Sequence, residues 1–461
     1  MPQLSNFQIS GLNLRVSPLN HANLIRAVNL ETNQIGAKEK RPGYGTYLAT
    51  LGTQIQNLFD WHRESGTQFW NYAFAGGTLH YSTQGTGAWT VCGNGTFTGA
   101  NVGHAVLNDV MIVGDGAGST RHTSDGTSFT NTSVAPIASR FEEYQGRIWA
   151  VGTASYAFYS TVGTVSDWTT DSSSILIPNS GKLLDVYKAG NLLNFTKNSG
   201  LQYQYDGYTL TDLSTRQAYT SPSSMADIEG YKVGITRNGF YGHGGGKPQY
   251  LSAAVEKQIF NNTGSGIVGA NFDTAAGAFN KFNYLCSIGT VTDDFTGQTV
   301  NDCVMKYNIQ LNEFLNWQFA NAPTAFASYK DANKVDQMIW GDSTGQCYQL
   351  SGTALSDNGN PINTELALFV SAGNLDEKKW DWVRLLFNPR SEAKVQLGLS
   401  NYIDYSSIKW VDLVPEKSGL MEYHFPGDAR ARFLWIHIYE SSMESRFAFY
   451  GYECEFDYIK H

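Results

Sequence analysis

The chain has 461 residues, of which 41% are hydrophobic and 16% charged, with 47 glycines, 26 tyrosines and 25 phenylalanines. A charged fraction below the roughly 25% usual in soluble domains, with so many glycines and aromatics, disfavours coiled coils and helical solenoids and suits pleated sheets joined by tight turns. There is no run of 18 apolar residues to span a membrane as a helix, and a net charge of −9 argues against a surface built to grip nucleic acid.

The chain opens with MPQLSNFQISGLNLRVSPLN, which lacks the charged-then-apolar layout of a secretory signal, so none is expected. Residues 1–46 hold five Lys/Arg against two Asp/Glu and are the one net-basic stretch; residues 47–360 hold 16 against 24. The apolar spacing at Leu12, Leu14, Leu24, Ile25 and Val28 predicts an extended strap rather than a free tail, with Pro42-Gly43 turning the chain into the next unit.

From there the sequence repeats loosely. Phe69–Trp89 shows the unit: FWNYAF, the turn AGG, LHYST, the turn QGTG, then AWTVC. Comparable units follow to about residue 350, each with alternating runs of 4–8 residues between Gly, Asn or Asp turns. This is strand and hairpin grammar, at the period of roughly 35–45 residues expected for propeller blades. A β-propeller of about six to eight blades over residues 47–350 is predicted. One short stretch, 252–262 (SAAVEKQIFNN), predicts at most a turn or two of helix, and 290–302 a hairpin tip. The Gly/Asn/Ser/Pro stretch 351–364 predicts a linker. Longer alternating strands over 365–461 predict a separate antiparallel sandwich-like platform domain. The strap is expected to pack on that sandwich, and its removal (residues 1–40) to leave the propeller folded.

Several segments carry the outline of chemistry. His243-Gly244-Gly245-Gly246 and Gly341-Asp342-Ser343-Thr344-Gly345 match the oxyanion-loop and nucleophile-elbow patterns of α/β-hydrolases. The elbow needs a helix after the serine, whereas QCYQL continues as a strand, so a hairpin turn is predicted. Ser124-Asp125-Gly126-Thr127-Ser128-Phe129 is similar to the Asp-box turns of sialidases, themselves structural hairpins. Glycoside hydrolysis needs two carboxyls about 5–10 Å apart. Asp109, Asp115, Glu142, Glu143 and Asp206 are available, but nothing in the sequence pairs them. His62, His80, His104 and His122 have no metal-ligand spacing, and Cys92, Cys286, Cys303, Cys347 and Cys454 have no CxxC, so buried free thiols are expected. Aromatic pairs such as Tyr203/Tyr205 and Phe158/Tyr159 suit cross-strand packing better than stacking on sugars or bases.

The order of features has a further meaning. The VNL…KRPG element (Val28–Leu30, Lys40–Gly43) is followed by degenerate blades, then Val255-Glu256-Lys257, the strands CVMKYNIQLNEFLNWQF, the hairpin residues Gly341, Asp342, Gly345, Tyr348 and Gln349, and a C-terminal β-domain. This resembles the tail hub, or nozzle, proteins of short-tailed bacteriophages, also known as tail tubular protein B or packaged-DNA-stabilisation proteins. The resemblance implies a non-enzymatic virion subunit without cofactor, assembled in the host cytoplasm. It implies a hexameric ring below the portal and adaptor, tail fibres or spikes docked outside, and double-stranded DNA passing through without sequence-specific binding. The acidic body fits a wall that does not hold DNA. Arg15, Arg26, Lys38, Lys40 and Arg41 are the expected adaptor-docking residues. The alternatives are a phage adsorption protein binding host-surface glycans and a sialidase-like propeller glycosidase.

Overall fold

The computed structural model describes residues 3–6, 10–12, 23–33, 36–64, 68–83, 86–152, 154–179, 181–215, 217, 219–228, 230–255, 269–292, 297–331, 333–371, 375–388, 392–413, 419–444 and 446–459. Five successive four-stranded antiparallel meanders come first. Blade 1 starts at Ile55–His62, blade 2 at Gly103–Leu107, blade 3 at Arg140–Tyr144, blade 4 at Leu183–Ala189 and blade 5 at Ala226–Ile228. Blade 6 comprises Ala276–Asn280, Asn283–Thr292, Thr299–Asn308 and Glu313–Gln318. Blade 7 has three strands of its own, Ala325–Lys330, Asp336–Gly341 and Cys347–Leu350. Its fourth is Tyr44–Leu48, far upstream in the chain, with Leu350 opposite Tyr44 and Cys347 opposite Leu48. The first strand of blade 1 packs on the first strand of blade 7, which closes the circle. Among the described residues these sheets form an all-β, seven-bladed propeller, within the predicted range.

Why the blades form is plain in their burial. Trp61, Trp70, Tyr72, Phe74 and Phe97 of blade 1 join Met111, Val113 and Phe129 of blade 2 in one apolar layer, and Tyr144, Trp149, Phe195 and Tyr203 do the same between blades 3 and 4. A four-stranded sheet alone exposes both faces; radial stacking covers them. Turns carry the left-handed backbone. At Gly126 φ is +80° and a Cβ would lie 2.8 Å from the Trp70 ring, so only glycine fits.

The predicted domain limits need correction. The blade 6 sheet does not end at Glu313–Gln318. Arg26–Val28 of the strap pairs parallel to it, and Thr364–Val370, Phe433–Glu440, Lys394–Ser400 and Lys409–Leu413 continue outward, giving one nine-stranded sheet. A seven-stranded sheet packs on it. Its strands include Lys378–Phe387 and Ala448–Tyr458 from the C-terminal part, and Leu30–Thr32, Lys38–Lys40 and Gln3–Asn6 from the N-terminal part. One core runs through both sheets into blades 5 and 6, from Trp380, Ile436 and Phe449 to Val233, Phe240 and Tyr284. The platform is therefore a sandwich made by both ends of the chain and continuous with the propeller, not a separate unit. The stretch 351–364 is not a free linker either, because Ser356–Asp357 pairs parallel with Tyr44–Leu48 and extends the blade 7 sheet. Sequence alternation reports strands but not which sheet they join, and both errors come from that.

Of the predicted helix at 252–262, Ser252–Val255 forms a 3-10 turn, and residues 256–262 lie outside the described residues, as does most of the tip between Asn283–Thr292 and Thr299–Asn308.

Candidate functional site

Two regions gather charge: the joint between strap, propeller and platform, and the two mouths of the propeller channel. The joint is built on Asn29 and Arg41. Asn29 holds φ at +56°, a conformation its short polar side chain tolerates, and that turns the strap between its two sheets. Its Oδ1 accepts from Arg41 Nε at 2.8 Å and from the Gln318 backbone N–H at 2.7 Å, and its Nδ2 donates to the Asn363 carbonyl at 2.8 Å. Arg41 is fully buried. Its Nη1 and Nη2 donate to Asp357 Oδ1 and Oδ2 at 2.8 and 2.5 Å, Nη2 also donates to the Gln318 carbonyl at 2.6 Å, and the guanidinium lies 4.7 Å from the centre of the Phe319 ring. Burial raises the Asp357 carboxyl, and the Arg41 guanidinium opposes it. Such a bidentate, stacked geometry is specific to arginine. Gly43 completes the joint, since a Cβ there would lie 2.1 Å from the Ser356 carbonyl oxygen.

The other basic strap residues are spent in the same way. Arg26 Nε lies 2.6 Å from Glu365 Oε2, and His437 contacts the other oxygen of Glu365 at 2.8 Å. Lys38 pairs with Glu313 at the end of blade 6 and donates to Thr32 at 2.7 Å; burial pulls its pKa down against the pull of Glu313. Lys40 pairs with Glu440 at 2.6 Å and donates to the Ser442 carbonyl. Four of the five expected docking residues are thus buried inside the chain, which corrects their assignment: a cation already desolvated against a carboxylate is not presented to a partner. Arg15 lies outside the described residues. The sequence shows the cations but not their partners Glu313, Glu365, Glu440 and Asp357, which stand 275 or more residues further along the chain; the nearest to a local signal is an Arg directly before a Pro-Gly.

The channel mouths follow from topology. The innermost strands of all blades run in the same direction, so their starts share one mouth and their ends the other. At the ends, Asp60, Glu64, Asp109 and Glu143 line a 440 Å³ cavity without any Lys or Arg, and burial pushes the Asp60 carboxyl up to about 6. At the starts, a cavity of 850 Å³ is lined by Arg140, Lys182, Lys197 and Arg237 with Asp115 and Asp273. Between them the channel is charge-paired, Lys232 lying 3.2 Å from Asp227 and 3.9 Å from Glu142. These residues carry no local motif, and only the blade register brings them together.

The other sequence candidates are dispersed. Gly341–Gly345 lies in the hairpin between two strands of blade 7, as its sequence predicts. Asp342 Oδ1 accepts the N–H groups of Thr344 and Gln346, and Gly345, with φ at +88°, abuts Thr53. His243 is buried in blade 5 against Tyr187 and the Gly246 carbonyl. Asp125 caps its own turn through Thr127 and Ser128 N–H. Asp206 does the same through Tyr208 and Thr209, while Glu142 sits in the channel. His104 stacks on Phe59 at 4.0 Å, and burial, with Arg140 nearby, drops its pKa to about 4; His122 bonds Thr132 and His62 packs on Phe69. Tyr205 and Tyr159 pack around Trp149. The five cysteines are buried, and no cluster of three or more metal-ligating side chains occurs among the described residues.

No family model and no curated protein matches this chain. Among solved structures it is similar to the computationally designed Ika8 protein (11% identity, TM-score 0.40, covering 67% of this chain and 99% of that one). It is also similar to YCF48 from Cyanidioschyzon merolae (10%, 0.44, 67% and 98%) and to BBS1N solved in complex with ARL6DN (9%, 0.45, 68% and 98%).

Proposed function

We propose that this protein is a structural virion subunit, a tail nozzle or hub protein of a short-tailed phage that assembles into a ring, a hexamer by the resemblance noted above, enclosing a channel for DNA. The observation that carries the reading is the joint. Domain boundaries within a chain fall in linkers, and relative motion is the default across small interdomain contacts. Here a nine-stranded sheet runs from blade 6 through the strap into the platform, locked by buried ion pairs at Arg26, Lys38, Lys40 and Arg41. A fixed angle between two bodies suits a ring under load and has no evident use in a freely swinging binding module. The residues that resemble the family's opening, Val28–Leu30 and Lys40–Gly43, are the ones that build this joint.

The acidic balance of the propeller supports a wall that DNA passes without adhering. Sedimentation velocity tests the reading. The purified chain, alone or with a phage adaptor ring, is expected to form a species near six times 50.8 kDa. A strict monomer under both conditions would reject it.

A further inference from the structure

The mouth at the strand starts has features that a nozzle wall does not need. Its cations come from three different blades: Arg140 from blade 3, Lys182 and Lys197 from blade 4, and Arg237 from blade 5. Four cations and two carboxylates line it, in a body where carboxylates outnumber cations 24 to 16. The carboxylates are also engaged. Asp115 accepts the backbone N–H groups of Thr98, Gly99, Ala117 and Gly118, and Asp273 is held by both oxygens on Arg237 at the rim.

Two lysines remain without a close counter-ion, and one arginine is loosely paired. Lys197 is fully buried and, among the described residues, donates to the Asn179 and Gly181 carbonyls, at 2.5 and 3.3 Å. Lys182 is exposed, and neither lysine has a carboxylate within 4 Å among the described residues. Arg140 has Asp185 at 3.9 Å, beyond hydrogen-bond range, and burial pushes that carboxyl up to about 7, so it neutralises Arg140 incompletely. Cations gathered at a concave, polar-lined site favour an anion that offers several oxygens at once. The volume of 850 Å³ is that of a small-molecule site.

We infer that the strand-start mouth of the propeller binds a small phosphoryl-bearing anion between Arg140 and Lys182, with the buried Lys197 ammonium adding positive potential behind them. A phosphoryl group fits better than a lone carboxylate because its oxygens can bridge cations on separate blades. The cavity at the opposite mouth between blades 1 and 3, lined by four carboxylates, disfavours the same ligand.

Isothermal titration of the full-length protein at low ionic strength tests this, with inorganic pyrophosphate as probe. One site per chain is expected, weakened about tenfold or more by Lys182→Gln and again by Arg140→Gln. Lys182 is exposed, so its variant keeps the fold; Lys247→Gln, an exposed cation on the other side of the propeller, is expected to change nothing. Absence of pyrophosphate binding would overturn the inference, as would binding insensitive to Lys182→Gln or lost equally in Lys247→Gln. Tighter binding of glucuronate than of pyrophosphate would overturn the phosphoryl assignment. None of these outcomes depends on ring formation, so the site and the nozzle reading fail separately.

Discussion

Single residues decide the geometry at two places. Asp115 is buried, which by itself raises a carboxyl pKa, yet the four N–H groups aimed at it hold it at about 2. Its folded pKa is below the unfolded value, so it contributes stability that is fully present above about pH 4 and is lost as the pH falls towards 2. Asp115→Ala is expected to cost about 3 kcal/mol in urea unfolding at pH 7. It should also remove the part of the acid sensitivity that lies between pH 4 and 2, on the order of 1–2 kcal/mol once solvent screening is allowed for. An unchanged acid limb would contradict this assignment. At the joint, Arg41→Met leaves the Asp357 carboxylate buried without its partner, and a loss of about 3–5 kcal/mol is expected. Arg41→Lys should recover little of it, because one ammonium cannot serve Asn29, both Asp357 oxygens and the Gln318 carbonyl together. Full recovery by lysine would mean that charge alone holds the joint.

At the scale of elements, the strap changes meaning. As a sequence it is a basic segment ahead of a propeller; in the fold, Arg26–Val28 is an interior strand of a nine-stranded sheet and Tyr44–Leu48 closes blade 7. Deleting residues 1–40 therefore removes the middle of the platform, and the expected result is a disordered C-terminal part, not a folded propeller that merely fails to assemble. A gentler probe is Gly43→Ala. It drives a methyl group into the Ser356 carbonyl and should destabilise by about 2 kcal/mol or more. Gly45→Ala, two residues on with nothing within 4 Å, should be close to neutral in the same thermal-unfolding assay. Strands, turns and blade period were legible because alternation and Gly/Asn/Asp punctuation are local. The GDSTG segment was legible as a hairpin for the same reason, from the strand that follows it. Sheet membership was not legible, since Asn316 opposite Val28 and Asp357 opposite Tyr44 are pairings across hundreds of residues. The docking role given to Arg26, Lys38, Lys40 and Arg41 failed on that same point: their carboxylate partners are distant in sequence, and a cation's burial cannot be seen without them.

At the scale of the whole molecule, the propeller carries a cation-rich cavity where the innermost strands of blades 3 to 5 begin and a carboxylate-lined one where those of blades 1 to 3 end, and it is fused to a platform drawn from both chain ends. The fusion makes the platform angle a property of the fold, which a closed ring requires because every subunit must repeat one rotation. A subunit with a loose platform would instead give open or irregular assemblies. Negative-stain electron microscopy of the purified full-length protein tests this most directly. Class averages are expected to show closed rings of uniform stoichiometry around a central channel, with the propellers as discrete lobes at a constant angle to the platform. Isolated particles with lobes at variable angles, and no rings at any concentration with or without an adaptor ring, would contradict it.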